Sequence, residues 1–339
     1  MTDKSGRARL GRRIIAPVLA VTVLTASAYL WLNTNVLGRG DLCAGLVSGN
    51  TAEEVFPRSG RLSDGPGLDG SSSDRVAFAC TVERSSFLLG PDTDHLRVSG
   101  SRERGDFPFR EEGRWPSPAT MSFFSGGATG GVGQDHGWVL LPEACIDDNG
   151  PAIVEGYAPK GADPLALARL LTEVANNAAQ RGGCASDEPL SAPEALAPAP
   201  AARPVRDDTV CGIAGLTFPG PAARERAGTT ETVQRDGGPV WSCEVDNHAT
   251  YAVTQEARLI AGIRSSPGYT EQRRVAGHEV MGADPTHVVA DCGGVPTYFA
   301  MEVHEGYTAA LEEPGAPGLR SLYDNFVDVA GERFGCTTS

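Results

Sequence analysis

Residues 165–186 read LALARLLTEVANNAAQRGGCAS, and residues 319–339 read LRSLYDNFVDVAGERFGCTTS. In the first stretch Leu167, Leu170, Leu171, Val174 and Ala178 fall at helical spacing, and a step of 152 residues carries them to Leu319, Leu322, Tyr323, Phe326 and Ala330. The same step carries Arg181 to Arg333 and Cys184 to Cys336. This is the apolar face of one amphipathic helix written twice, with a glycine before each cysteine where such a helix ends. Asp163-Pro164 supplies an N-cap and a first-turn proline for the first helix. So many agreements in order predict a duplicated unit.

The remaining cysteines extend the match. Cys43, Cys80, Cys145 and Cys184 form one set and Cys211, Cys243, Cys292 and Cys336 the other, with spacings of 37, 65 and 39 against 32, 49 and 44. Asp41-Leu42-Cys43-Ala44-Gly45-Leu46 answers to Thr209-Val210-Cys211-Gly212-Ile213-Ala214-Gly215-Leu216. Phe78, Cys80 and Val82 alternate with smaller or polar residues, as do Trp241, Cys243 and Val245, so each trio lies on one face of a strand. Glu155-Gly156-Tyr157 is matched to Glu305-Gly306-Tyr307 at the end of a later strand. Four cysteines allow three pairings. We favour first with second and third with fourth, which ties the N-terminal segment to a central strand and a late strand to the C-terminal helix. Each bond would contribute roughly 3–4 kcal/mol on the chain-entropy account.

The predicted fold class is therefore α+β: two homologous disulfide-bonded domains, each an antiparallel sheet packed by a C-terminal helix. The first spans residues 40–184 and the second 209–339. Between them residues 185–208 carry five prolines with mostly alanine, which predicts a semi-stiff linker and two separate bodies. Residues 57–74 are rich in Gly, Ser and Asp and predict a long exposed loop. At 339 residues, 40% hydrophobic but only 6% aromatic, the chain supports a modest core in each domain.

Ahead of both domains, residues 1–13 carry Lys4, Arg7, Arg9, Arg12 and Arg13 against Asp3, and residues 14–32 contain no charge. A helix of that length spans roughly 28 Å, close to a bilayer's hydrocarbon thickness. The expectation is a basic cytoplasmic tail (1–13), a single transmembrane anchor (14–32) and extracellular C-terminal domains. The alternative is a cleavable signal peptide, since Ala26-Ser27-Ala28 has the required small-x-small form. Tyr29, Leu30, Trp31 and Leu32 prolong the apolar run past that site and favour an uncleaved signal-anchor. Either way the even cysteine count suits an oxidising compartment. The net charge is −14, and residues 14–339 carry −18, so nucleic acid is not an expected partner.

Catalytic motifs are lacking. Gly126–Gly133 is glycine-rich like a phosphate loop but lacks the Lys-Ser/Thr ending, and reads as a hairpin loop. His278-Glu279 begins like a zinc-protease helix, yet the position four after the histidine is Gly282. Asp147-Asp148-Asn149-Gly150 reads as a solvated turn. The six histidines look scattered, with none matched between the copies. We expect no cofactor, no metal and no catalytic residue. One asymmetry stands out: the middle interval of the first copy is longer and holds Phe107, Phe109, Trp115, Phe123 and Phe124, which are either a partner-binding surface or that copy's core.

The Asp-x-Cys-x-x-Leu opening (Asp41, Cys43, Leu46), a cysteine in the next long strand and a C-terminal helix ending in cysteine resemble the extracytoplasmic Cys-rich domains of unknown function found on actinobacterial lipoproteins and membrane proteins, here in tandem. With only Lys4 and Lys160 as lysines, and abundant Ala, Gly, Pro and Arg, the composition suits such a G- and C-rich genome. The pattern is also similar to the two-disulfide sensor domain of mycobacterial serine/threonine kinases. It departs from the first in lacking a lipobox cysteine and from the second in having only thirteen residues before the anchor. The resemblance implies a non-catalytic binding or sensing role in the cell envelope, toward an envelope protein or a small ligand. The alternative is an exported enzyme, such as a hydrolase, with its site in one domain or in the crevice between them.

Overall fold

The computed structural model describes residues 18–25, 27, 35, 40–65, 74–86, 94–110, 115–206, 209–216, 230–235, 237–246, 248–312 and 314–336. Of the expected anchor only 18–25 and 27 fall within this set; they are helical and exposed, and the basic tail lies outside it. Among the described residues no helix is long and apolar enough to cross a membrane.

The first half opens with helix α1 (Gly49–Val55) and strands β1 (Arg61–Asp64), β2 (Phe78–Ser85) and β3 (Asp94–Arg102). It continues through β4 (Ser122–Phe124), β5 (Gly130–Val132), β6 (His136–Leu140) and β7 (Ala152–Tyr157) to the long helix α2 (Pro164–Gly182). The second half contains β8 (Arg203–Pro204), β9 (Thr230–Val233), β10 (Val240–Val245), β11 (Ala249–Thr254) and helix α3 (Ala257–Arg264). Then follow β12 (Thr270–Glu271), β13 (Val280–Asp284), β14 (His287–Cys292), β15 (Val295–Val303), α4 (Glu305–Leu311) and α5 (Leu319–Gly331).

All named strand pairs are antiparallel, and the strand orders are β1-β2-β3-β7-β6-β5-β4 in one sheet and β8-β9-β10-β11-β15-β14-β13-β12 in the other. Removing β8 leaves the same seven-strand order twice. The four disulfides pair first with second and third with fourth in each half: Cys43–Cys80, Cys145–Cys184, Cys211–Cys243 and Cys292–Cys336.

The local chemistry around the first cysteine of each half is repeated too. Cys43 and Cys211 both hold a positive φ, 55° and 60°. Such a conformation is costly for a residue with a Cβ. In each case a carboxylate on the strand that pairs with the second cysteine's strand, β1 or β9, takes the cysteine amide: Cys43 N–H donates to Asp64 Oδ1 at 2.8 Å, and Cys211 N–H to Glu231 Oε2 at 2.7 Å. Disulfide and hydrogen bond together hold the bend. The repeated arginine has a partner of its own beyond the helix dipole: Arg181 stacks on the Phe78 ring at 5.2 Å and Arg333 on Trp241 at 5.7 Å.

Each long helix covers one sheet face. Leu167, Leu171, Val174 and Ala178 pack with Val82, Val98, Val139 and Val154, while Leu322, Phe326 and Ala330 pack with Cys243, Tyr251, Val288 and Phe299. Asp163 caps α2 by accepting from Leu165 and Ala166, and Gly183 and Gly335 turn the chain out at φ 67° and 81°.

Several expectations require correction. Glu305-Gly306-Tyr307 begins α4 and ends no strand, so its likeness to Glu155-Gly156-Tyr157 does not reflect a shared position. The stretch 57–74 contains β1, which pairs with β2. Gly130 and Gly131 lie in buried β5, and a Cβ at Gly130 would sit 2.5 Å from the Trp138 carbonyl and 2.6 Å from the Phe124 ring. Glycine is there because the neighbouring strand and ring leave no room. The Pro/Ala stretch is no free spacer: Leu190 and Leu196 pack against the first core, and Arg203–Pro204 pairs with β9.

The two halves are not separate bodies. A third core draws Phe107, Phe109, Met121, Phe123, Trp138, Leu140 and Ile153 from the first half and Val240, Ala252, Leu259, Ile260, Ile263, Val289, Tyr298 and Ala300 from the second. These strand residues alternate with those facing the helices, so each sheet is apolar on both faces where it contributes.

Replacing the fully buried Phe326 with Ala is expected to remove about 3–5 kcal/mol. Because the halves share a core, calorimetry of the full chain should show one transition moving to lower temperature. A melt that splits into an unchanged and a shifted component would contradict the shared core.

Candidate functional site

The polar groups gather at the seam between the halves. The segment between β3 and β4 brings Phe107, Phe109 and Arg110 against the second sheet, and its path requires a glycine: a Cβ at Gly105 would lie 2.0 Å from the Gly262 carbonyl on α3. The ring of Phe109 meets Tyr298 at 5.1 Å, and Phe107 meets the buried Trp138 edge-on at 5.0 Å. Two further polar ties flank them. The Gln234 amide donates to the carbonyl of Pro118 at 3.2 Å, and Arg258 donates to Gly127 and Leu141 carbonyls at 3.3 and 3.1 Å.

Phe107, Phe109, Phe123 and Phe124 are therefore buried. Three of them belong to the seam, Phe124 belongs to the helix-side core of the first half, and Trp115 is half-buried against Phe107 and His136. They are core, and they do not form an exposed partner surface.

Beside the aromatics a row of alternating charge crosses the seam. Asp106 pairs with Arg110, Arg110 with Asp284, Asp284 Oδ1 with His287 Nδ1 at 3.0 Å, and His287 Nε2 with Glu302 Oε1 at 3.2 Å. The first two residues come from the first half and the others from the second. Burial opposes a charge on His287, but its hydrogen bonds to Asp284 and Glu302 win and raise its pKa to about 9. For Asp284, burial would raise the pKa, but His287 and Arg110 hold it well below the usual carboxylate range. Tyr298, fully buried beside Asp106 and Asp284, is pushed well above 10. With both imidazole nitrogens occupied and the ring protonated at neutral pH, His287 is a clamp between carboxylates; it has no lone pair to accept a proton as a general base.

The first half carries a counterpart. His136 opens β6 as His287 opens β14, and the two are 151 residues apart, one short of the helix step. His136 Nε2 lies 2.9 Å from Glu155 Oε1 on β7, and the Tyr157 hydroxyl donates to the same oxygen at 2.7 Å. A buried histidine bound to a glutamate of the adjacent strand thus occurs in both halves. The cysteine framework does not reveal it, because the loops between match poorly, and the helix step carries His136 to Val288, one residue past His287.

Two carboxylates lie close to cysteine sulfurs, Asp64 beside Cys43 and Cys80 and Glu231 beside Cys211 and Cys243. All four sulfurs are in disulfides, so neither group has a thiolate to offer a metal. Asp147 closes its expected turn with Gly150 and pairs with Arg102 at 2.9 Å.

Among the described residues, three surface grooves are lined throughout. One, of about 200 Å³, lies at the seam between Leu140, Leu141, Pro151 and Arg258. A second, of about 430 Å³, lies on the second sheet around Tyr269, Met281 and Asp291, and a third, of about 470 Å³, lies between α5 and the β12–β13 connection. None is lined by a histidine. No family model matches the chain, and no curated protein or solved structure matches it either.

His287 has a folded pKa above its unfolded value, so its contribution to stability is complete below about pH 6.5 and declines as pH rises through about 9. Urea titrations at pH 6 and pH 9.5 should show the wild type losing stability at the higher pH. The His287→Gln variant should be less stable at pH 6 and lose most of that slope. An unchanged slope would mean His287 is not the titrating clamp.

Proposed function

We propose that the protein is a non-catalytic binding or sensing protein of the cell envelope, anchored by residues 14–32 with residues 1–13 in the cytoplasm and both halves outside. The halves are read as duplicated copies, residues 40–184 and 209–339, joined by residues 185–208. The observation that carries the non-catalytic reading is the commitment of two buried histidines, His287 to Asp284 and Glu302 and His136 to Glu155, neither of which lines a groove described above. An exported hydrolase needs its histidine and carboxylate at the wall of a cleft, where substrate reaches them. Four disulfides support export, and a net charge of −14 argues against a nucleic-acid partner.

Fusing alkaline phosphatase after Ser339 tests the orientation, since that enzyme folds only where disulfides form. An active fusion in the membrane fraction, with an N-terminus upstream of residue 14, is the expected result. A soluble active fusion beginning at Tyr29 would mean the segment is a cleaved signal, and an inactive one would place the halves in the cytoplasm.

A further inference from the structure

In the first half the chain itself fills the groove between helix α2 and the β4–β5 connection. Residues 187–196, DEPLSAPEAL, lie there without helix or strand. The Asn176 side chain brackets Leu190, with Nδ2 donating to its carbonyl and Oδ1 accepting its amide, both at 2.9 Å. The Ser191 carbonyl accepts from Ala128 of the β4–β5 connection at 2.8 Å, and the Glu194 carbonyl accepts from Arg169 at 3.4 Å. Leu190 and Leu196 pack against the core. The occupant is an extended, acidic segment that anchors through leucine and through its backbone.

In the second half the corresponding two elements, α5 and the β12–β13 connection, line the open cavity of about 470 Å³. Its apolar wall is Val275, Pro285, Leu319 and Tyr323. Arg273, Arg274 and Arg320 also line it, with Arg274 paired to Glu279 at 2.5 Å and Arg320 3.8 Å from Asp324. Three guanidinium groups against two carboxylates leave a local positive surplus in a chain whose net charge is −14. An apolar wall with a few convergent charges, at this size, is what a ligand site requires.

We propose that this cavity takes an extended acidic peptide segment bearing a leucine, the chemistry that residues 187–196 bring to α2 in the first half. Leucine would enter the apolar wall, and carboxylates would meet the three arginines. The proposal rests on the reading of the protein as a binding protein and narrows its partner class.

The test titrates full-length protein in detergent micelles into a fluorescein-labelled peptide of sequence DEPLSAPEAL, followed by fluorescence anisotropy. Saturable binding is expected. Arg273→Glu with Arg320→Glu should weaken it by about tenfold or more, as befits loss of two charge-assisted contacts. A peptide with Asp and the two Glu changed to Lys, or with both Leu changed to Ser, should not bind. Both arginines are exposed, so the double variant should melt like the wild type; Arg273→Gln with Arg320→Gln serves if it does not. Binding that ignores the arginine substitutions, equal binding of the lysine peptide, or no saturation up to about 1 mM, a free energy near −4 kcal/mol, would overturn the site. The phosphatase fusion is untouched by any of these outcomes, so failure of the cavity is separable from failure of the export and anchoring assignment.

Discussion

Each sheet of this protein has two apolar faces, and among the described residues each half supplies one long helix, α2 or α5. One face is covered by that helix; the other has to be covered by something else, because leaving rings such as Trp138 and Tyr298 in water would forfeit a few kcal/mol apiece. The other half is what covers it. The resulting seam explains an otherwise puzzling distribution of residues in an aromatic-poor chain. The long interval of the first half spends Phe107, Phe109 and Phe123 there, and Gly105 is needed for the backbone to approach Gly262 closely enough to deliver them.

The charges at the seam follow from the same packing. Arg110 projects from the segment that carries the aromatic rings, and it meets two carboxylates, one from each half. Asp284 then serves both Arg110 and His287, and His287 serves Glu302. In such an alternating row the three inner members, Arg110, Asp284 and His287, each lie between opposite charges, which offsets desolvation far better than an isolated pair does. The arrangement gives the interface a specific register.

The halves differ at their edges and share a common framework. The framework is the strand order, the two disulfide pairings, and the carboxylate that steadies the first cysteine of each half in its left-handed bend. The differences lie where the intervening segment goes. It lies along α2 with Leu190 and Leu196 inserted, then adds β8 to the edge of the second sheet. One segment thus finishes the first half and extends the second, and this leaves the groove beside α5 open.

The sequence by itself determined the α+β class, the two sets of four cysteines and the helix faces, and it favoured the disulfide pairings that the structure has. All of these rest on short-range signals: a 3.6-residue period, a two-residue period, and cysteines that can only meet partners within reach. Leu322 and Phe326 declare their burial through spacing alone. Periodicity does not report what lies against the second face of a strand. Phe107 and Phe123 therefore read equally well as surface or core, and the proline-rich segment read as a spacer although Leu190 and Leu196 were visible within it. The His136 and His287 pairs escaped for a related reason. A histidine's role depends on the residue across the strand, and strand register is set by pairing between distant segments. Only the tertiary structure decides such contacts, because they depend on which surfaces remain uncovered after each helix has taken its face.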